Sequence, residues 1–270
     1  MFHGLKNLQV LNLSDNKIST IDDAFIELSS LISLNLSNNE LTKINSKTIR
    51  NLKIKELHLN NNLIENDINF VGLFNLIRLD LQWNKITEIF IPNGFKDLFK
   101  LQELNLKCNK IDKFYSFRND LFRHFKCLLK LDVSWNKLNN IETFQSQEAC
   151  QLEELILNNN LIEIHEDLHL FNGLSSLKKL DLSWNNINKI NFLLKNLIQL
   201  EELNIQCNKI TYIGYLACLK EINLAYNPIE VIESNENNLN NLKKVIYSSK
   251  QYDFLKKSFI NKDILVEDIR

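Results

Sequence analysis

LKKLDLSWNNINKI, residues Leu177–Ile190, decides how the whole chain is read. With the variable letters removed it becomes L-x-x-L-x-L-x-x-N-x-I. Leu180 and Leu182 are two apart, the spacing of a strand with one buried face, and Asp181 between them points the other way. One such strand has nothing to pack against. It needs a neighbour with the same pattern on either side, so the phrase makes sense only if it repeats and stacks.

It does repeat. First positions fall at Leu8, Leu31, Ile54, Leu76, Leu101, Leu128, Leu152, Leu177, Leu200 and Leu219. The ninth position of each phrase is Asn: Asn16, Asn39, Asn62, Asn84, Asn109, Asn136, Asn160, Asn185, Asn208 and Asn227. Successive Asn are 23, 23, 22, 25, 27, 24, 25, 23 and 19 residues apart. Chance hydrophobic patterning would not place an Asn at one offset ten times over.

On these residues the chain resembles the leucine-rich repeat family, over residues 2–232. The resemblance implies an α/β solenoid, a curved horseshoe with a parallel sheet on its concave face and short helices, 3₁₀ turns or loops on its convex face. Pairs such as Leu11 with Leu13, Leu79 with Leu81 and Leu203 with Ile205 are expected to stack into one continuous core. The resemblance gives the ten Asn a structural role, bonding backbone groups at the bend after each strand. A buried amide needs such partners.

A second signature precedes the phrase. Phe25-x-x-Leu28-x-x-Leu31, Phe70-x-x-Leu73-x-x-Leu76, Phe95-x-x-Leu98-x-x-Leu101 and Phe171-x-x-Leu174-x-x-Leu177 share one spacing. A Phe and a Leu three apart lie on one side of a short helical or 3₁₀ turn and would fill the convex half of the core. This resembles the "typical" repeat subclass of Toll-like receptor ectodomains, a likeness of repeat type and not of function.

The expected organisation is a ten-repeat array over residues 1–233 and a C-terminal cap over 234–270. Phe2–Leu8 is already the convex half of a repeat, so the N-terminal cap is lacking. Solenoids need polar ends. We therefore expect a fragment of a longer protein, or an edge able to pair end to end with another copy. Leu242-x-x-Val245-x-Tyr247 echoes the strand pattern without its Asn, and Gln251–Ile260 reads as a helix with Tyr252, Leu255 and Phe259 on one side.

Formal net charge is −1, which gives no general attraction to nucleic acid or membrane. No apolar run is long enough to span a bilayer. Five scattered cysteines, Cys108, Cys127, Cys150, Cys207 and Cys218, form no C-x-x-C pair and favour a reducing, cytoplasmic compartment. The sequons at Asn12 and Asn35 arise from the repeat phrase itself and say little about an extracellular one.

No nucleophile elbow or phosphate loop occurs, and no cofactor motif; the chain has only five glycines. His165 and His169, four apart, could hold a metal only with ligands that the neighbouring sequence does not supply. His3 and His124 have no evident partner. Catalysis is not expected.

A binding face is. The outward third, fifth and seventh positions carry eight acidic and four basic residues, which suits a protein partner of basic or mixed surface and repels phosphate backbones. Among them His58, Arg78, Asp80, Lys107, Asp132 and Asp181 are candidate contacts. The eighth position holds Trp83, Trp135, Trp184 and Tyr226 in alternate repeats, with Cys108 and Cys207 between. These aromatics either anchor a partner or lie flat and seal the edge of the core. Tyr115–Asn119, in the longest repeat, is a secondary candidate.

The resulting reading is a non-enzymatic scaffold that docks a partner on its concave face and aromatic rim. The alternatives are a fragment of a Toll-like receptor ectodomain sensing an extracellular ligand, or an intracellular regulatory subunit of an enzyme.

Overall fold

From the second repeat to the tenth, the side chain at the fourth position is at most 2% exposed, while its two strand neighbours face outward. The computed structural model describes residues 2–50, 52–116, 120–148, 150–164, 170–190, 194–214, 218–233, 241–248 and 264–269. The chain divides into two units, residues 1–138 and 139–270.

The first unit contains β1 (Val10–Asn12), β2 (Ser33–Asn35), β3 (Glu56–His58), β4 (Arg78–Asp80), β5 (Glu88–Phe90), β6 (Glu103–Asn105), β7 (Lys113–Tyr115) and β8 (Lys130–Asp132). Its main sheet runs β1-β2-β3-β4-β6-β8, all parallel. Leu34 stands opposite Leu57, and Leu57 opposite Leu79, so like pairs with like. β5 and β7 form a separate parallel pair. The second unit contains β9 (Glu154–Ile156), β10 (Lys179–Asp181), β11 (Glu202–Asn204), β12 (Tyr212–Ile213), β13 (Glu221–Asn223), β14 (Val231–Ile232), β15 (Lys244–Ser248) and β16 (Leu265–Ile269). Its main sheet runs β9-β10-β11-β13-β15-β16, again parallel, with β12 and β14 paired separately.

Behind the strands, the Phe-x-x-Leu-x-x-Leu segments fold as consecutive tight turns rather than helices. Leu28 N–H donates to Phe25 O and Leu31 N–H to Leu28 O, at 3.0 and 3.1 Å. The same two bonds recur after Phe70, Phe95 and Phe171. Phe25, Phe70, Phe95, Phe125 and Phe171 are all buried, and the rings of Phe70 and Phe95 meet edge to face at 5.4 Å. Gly173 allows the close approach of the preceding turn, because a Cβ there would lie 2.4 Å from Ser146 O. Helix is scarce among the described residues and includes a four-residue turn, α1 (Ser46–Ile49), and a π-helical turn at Ile91–Phe95. Asn45 caps the first by accepting from Lys47 N–H.

The phrase-ending Asn bind turn to turn. Asn84 Nδ2 donates to Leu81 O of its own repeat and to Leu59 O of the repeat before, both at 3.0 Å, while its Oδ1 accepts from Ile64 N–H. Asn39, Asn62, Asn109, Asn136, Asn185, Asn208 and Asn227 repeat this pattern. Asn160 bonds its own Leu157 O. Asn16 is exposed and reaches only Leu13 O and Ser14 O of its own loop.

Leu242, Val245 and Tyr247 are buried, and β15 extends the sheet although it lacks the Asn. β16 adds a further parallel strand, which the sequence pattern did not announce. The helix expected at Gln251–Ile260 lies outside the described residues, as do Phe117–Asn119, His165 and His169.

Replacing Asn84 by Ala strips three buried backbone groups of their partner and is expected to cost about 3 kcal/mol. Asn16→Ala, at an exposed site, is expected to cost less than about 1 kcal/mol. Urea denaturation of both variants checks the pair; equal losses would contradict the inter-turn role of the amide.

Candidate functional site

The eighth position of every repeat adopts a left-handed backbone. Asp15, Asn38, Asn61, Trp83, Cys108, Trp135, Asn159, Trp184, Cys207 and Tyr226 all have φ between 53° and 58°. The bend after the strand requires it. Trp83 N–H donates to Lys107 O and Cys108 N–H to Ser134 O, both at 3.0 Å, so the residue is held by its main chain. Asn and Asp tolerate this region best, because their short polar side chains bond locally.

The first three repeats use that chemistry. Asn38 Nδ2 donates to Asp15 Oδ1 at 2.9 Å, and Asn61 Nδ2 to Asn38 Oδ1 at 2.8 Å. From the fourth repeat the run is broken by Trp83, Cys108 and Trp135. The two indoles are 56% and 54% exposed, so they do not seal the core. In the second unit Trp184 is 55% and Tyr226 47% exposed, with Cys207 in the repeat between them. Each of these aromatic residues combines a strained backbone, of order 1 kcal/mol or more, with an uncovered ring.

The fifth position has a role that sequence reading missed. Asn12, Asn35, Asp80, Asn105, Asp132, Asp181, Asn204 and Asn223 each accept, through Oδ1, the N–H two residues on, at 2.9–3.2 Å. The signal was visible: only His58 and Ile156 depart from Asn or Asp there. Asp80, Asp132 and Asp181 therefore shape the strand exit with one oxygen, while the second oxygen of Asp80 accepts from Gln82 Nε2 at 3.5 Å and that of Asp181 from Asn204 Nδ2 at 3.3 Å.

His58, Arg78, Asp80 and Asp132 come together. With Glu103 and Lys130 they line a shallow hollow of about 270 Å³ on the strand face of the first unit. Lys107 is not among its lining residues. In the second unit Asp181 lies in a hollow of about 400 Å³ with Glu154, Lys179, Glu202 and Glu221. Signs alternate across the strands: Arg78 pairs with Glu103 at 3.1 Å and Glu56 at 3.4 Å, and Lys179 with Glu202 at 2.8 Å. Burial raises the Asp80 carboxyl above its ordinary value, against the Gln82 N–H bond and the neighbouring His58.

Burial pushes the Cys108 and Cys207 thiols up, which keeps them protonated and poorly nucleophilic. Among the described residues no group of His, Cys, Asp and Glu is placed to hold a metal, and no helix is long and apolar enough to cross a membrane. Contrary to expectation, His3 has a partner, Glu27, with Nδ1 2.6 Å from its carboxylate. His124 Nε2 is buried without a hydrogen-bond partner among the described residues, and its imidazole is held below its ordinary pKa by burial. Tyr115 is exposed, with its ring 5.6 Å from that of Phe90.

Leucine-rich repeat family models match residues 1–41, 173–189 and 199–217. These matches and the stacked parallel strands of each unit support the leucine-rich repeat reading of the chain. A leucine-rich repeat protein of Leptospira interrogans shares the fold at TM-score 0.69 and 23% identity, over 97% of this chain and 72% of that one. A Toll-like receptor, in the TLR13–ssRNA13 complex, matches at TM-score 0.69 and 28% identity, over 90% of this chain and 38% of its own. A chain of the octameric complex of Latrophilin 3, Unc5D and FLRT2 (LRR) matches at TM-score 0.70 and 19% identity, over 97% and 84%. No curated protein sequence matches the chain.

Because burial raises the Asp80 pKa, the folded state holds its proton more tightly than the unfolded chain does. The stability this gives is fully present below the ordinary value of 3.8 and is lost as pH rises through the raised folded value. Asp80→Asn keeps the turn, as Asn105 shows. The variant is therefore expected to melt higher than wild type at pH 7, with the advantage vanishing below about pH 4. Thermal melts across pH 3–7 check this; a constant difference would locate the effect elsewhere.

Proposed function

We propose that this chain is a non-enzymatic docking protein, and that exposed aromatic residues at the strand exits anchor a protein partner against the strand face. One observation carries the reading. At a backbone position that suits Asn, and where Asp15, Asn38 and Asn61 form a bonded run, the chain instead places Trp83, Cys108 and Trp135, with both indoles more than half exposed. Folding gains nothing from that exchange. Trp and Tyr are the residues that dominate interface energetics, and members of this family generally serve as interaction modules rather than enzymes.

The strand face supplies the surroundings. His58, Arg78, Asp80 and Asp132 in the first unit, and Asp181 in the second, offer mixed charges to a partner of mixed or basic surface. Similar folds sit in multiprotein assemblies, such as that of Latrophilin 3, Unc5D and FLRT2, which supports a protein partner; the acidic excess on the strand positions disfavours a phosphate backbone there. Cys108, Cys127, Cys207 and Cys218 carry free thiols, which supports a reducing, cytoplasmic setting.

The Toll-like neighbour supports a second reading, a segment of a receptor ectodomain. N-linked glycan on Asn12 or Asn35, found by mass spectrometry of protein from its natural source, would favour it and exclude the cytoplasm.

Trp83→Asn/Trp135→Asn restores the residue that the second and third repeats carry, so the double variant is expected to melt at or above the wild-type temperature. Affinity capture from the natural source should recover a partner with wild type and lose it, by at least about 30-fold in affinity, with this folded variant. Undiminished capture would refute the anchoring role.

A further inference from the structure

We infer that the Trp83–Trp135 edge of the first unit takes an extended acidic segment of the partner, and that one flat side chain of that segment enters between the two indoles above Cys108. The inference rests on the docking reading and adds the chemistry of what docks.

The charge pattern carries it. Lys85, Lys110 and Lys137 occupy the tenth position of three consecutive repeats, two residues beyond Trp83, Cys108 and Trp135, and all three are exposed. Their stacking is fixed by the main chain. Lys110 N–H donates to Ile86 O and Lys137 N–H to Ile111 O, both at 2.8 Å, each reaching back one repeat. Lys107, at the seventh position, stands on the other side of Cys108 in sequence.

None of the four ammonium groups has an ion-pair partner among the described residues. Asp112, two residues beyond Lys110, pairs with none of them. Like charges on adjacent repeats repel, and the fold does not demand lysine there, since Glu40 and Asn186 hold the same position elsewhere. The contrast lies on the same unit, where Glu56, Arg78 and Glu103 alternate in sign and pair. An unpaired ladder of cations beside uncovered indoles is complementary to an anionic ligand with a flat group.

Spacing limits what that group can be. Residues two repeats apart are separated by about 10 Å, twice the strand spacing. One flat side chain fits between them with a ring on either side at ordinary stacking distance. Carboxylates on one side of an extended peptide recur every ~7 Å, within reach of lysine stems stepped about 5 Å apart. Asp80 and Asp132, on the neighbouring face, repel the same segment and keep it at the edge.

The probe is a fluorescein-labelled peptide of alternating Glu and Ser with one central Phe. Comparators carry Ser for the Phe, or Lys for each Glu, and oligothymidylate is a fourth ligand. Polarisation and intrinsic fluorescence are both informative, because Trp83 and Trp135 are two of only three tryptophans. We expect the acidic Phe peptide to bind best, to shift the indole emission and to weaken with added salt. Lys85→Glu/Lys110→Glu/Lys137→Glu should weaken it at least about 10-fold, and folding should persist because Glu40 already occupies this position. Lys209→Glu, at the tenth position of the second unit, should leave it unchanged.

Preference for the lysine peptide or for oligothymidylate overturns the inference. So does a triple variant that binds like wild type, or a wild-type chain that binds no probe. If capture of the natural partner is lost with Trp83→Asn/Trp135→Asn but kept by the triple lysine variant, the docking edge stands and the acidic segment falls.

Discussion

The amide of the phrase-ending Asn is the contact on which the rest depends. A solenoid turn must reverse direction beside its core, and the reversal leaves backbone groups buried without a strand or helix to satisfy them. Asn84 meets three of them at once, two carbonyls and one N–H, drawn from two different turns. One side chain therefore closes its own loop and fixes its distance from the loop before. Few other residues could substitute: the task needs a donor and an acceptor on one short stem. Stacked in this way, the fourth- and sixth-position side chains have no freedom of register, and Leu34, Leu57 and Leu79 meet as a continuous row.

Around that frame, the lanes along the repeats differ in what they are for. Fourth and sixth positions are core. The third position carries charges of alternating sign that satisfy one another across the strands, as in Glu56, Arg78 and Glu103. The fifth is a turn-forming lane, and the eighth is a lane of left-handed backbone. Two lanes depart from the rest: the eighth carries indoles, and the tenth a run of like charge at Lys85, Lys110 and Lys137.

The array itself was legible because burial and bending impose periodic demands that surface in the letters. Ten Asn at one offset and four copies of Phe-x-x-Leu-x-x-Leu leave little choice of architecture. The fifth-position turn was just as periodic, yet Asp80, Asp132 and Asp181 read as free contacts, because a strand pattern says which way a side chain points and not what it bonds. Whether Trp83 is covered could not be read either. An indole at a strand exit serves as packing or as bait according to its backbone angle and its neighbours, and neither leaves a mark in the sequence. β16 lies beyond that signal for a related reason: Leu265–Ile269 pairs through its backbone, without the phrase that marks the ten repeats.

The left-handed residue has one further consequence. Its hydrogen bond to the next turn is made by the main-chain N–H, which every amino acid except proline possesses, so the bend does not consult the side chain. Asp15, Asn38, Trp83, Cys108 and Tyr226 make the same turn at the same angle. The position behaves like a socket of standard gauge, wired into the frame by its main chain and able to take other side chains than Asn at a strain of order 1 kcal/mol. A chain built this way can change what its edge displays, one repeat at a time, without renegotiating its core.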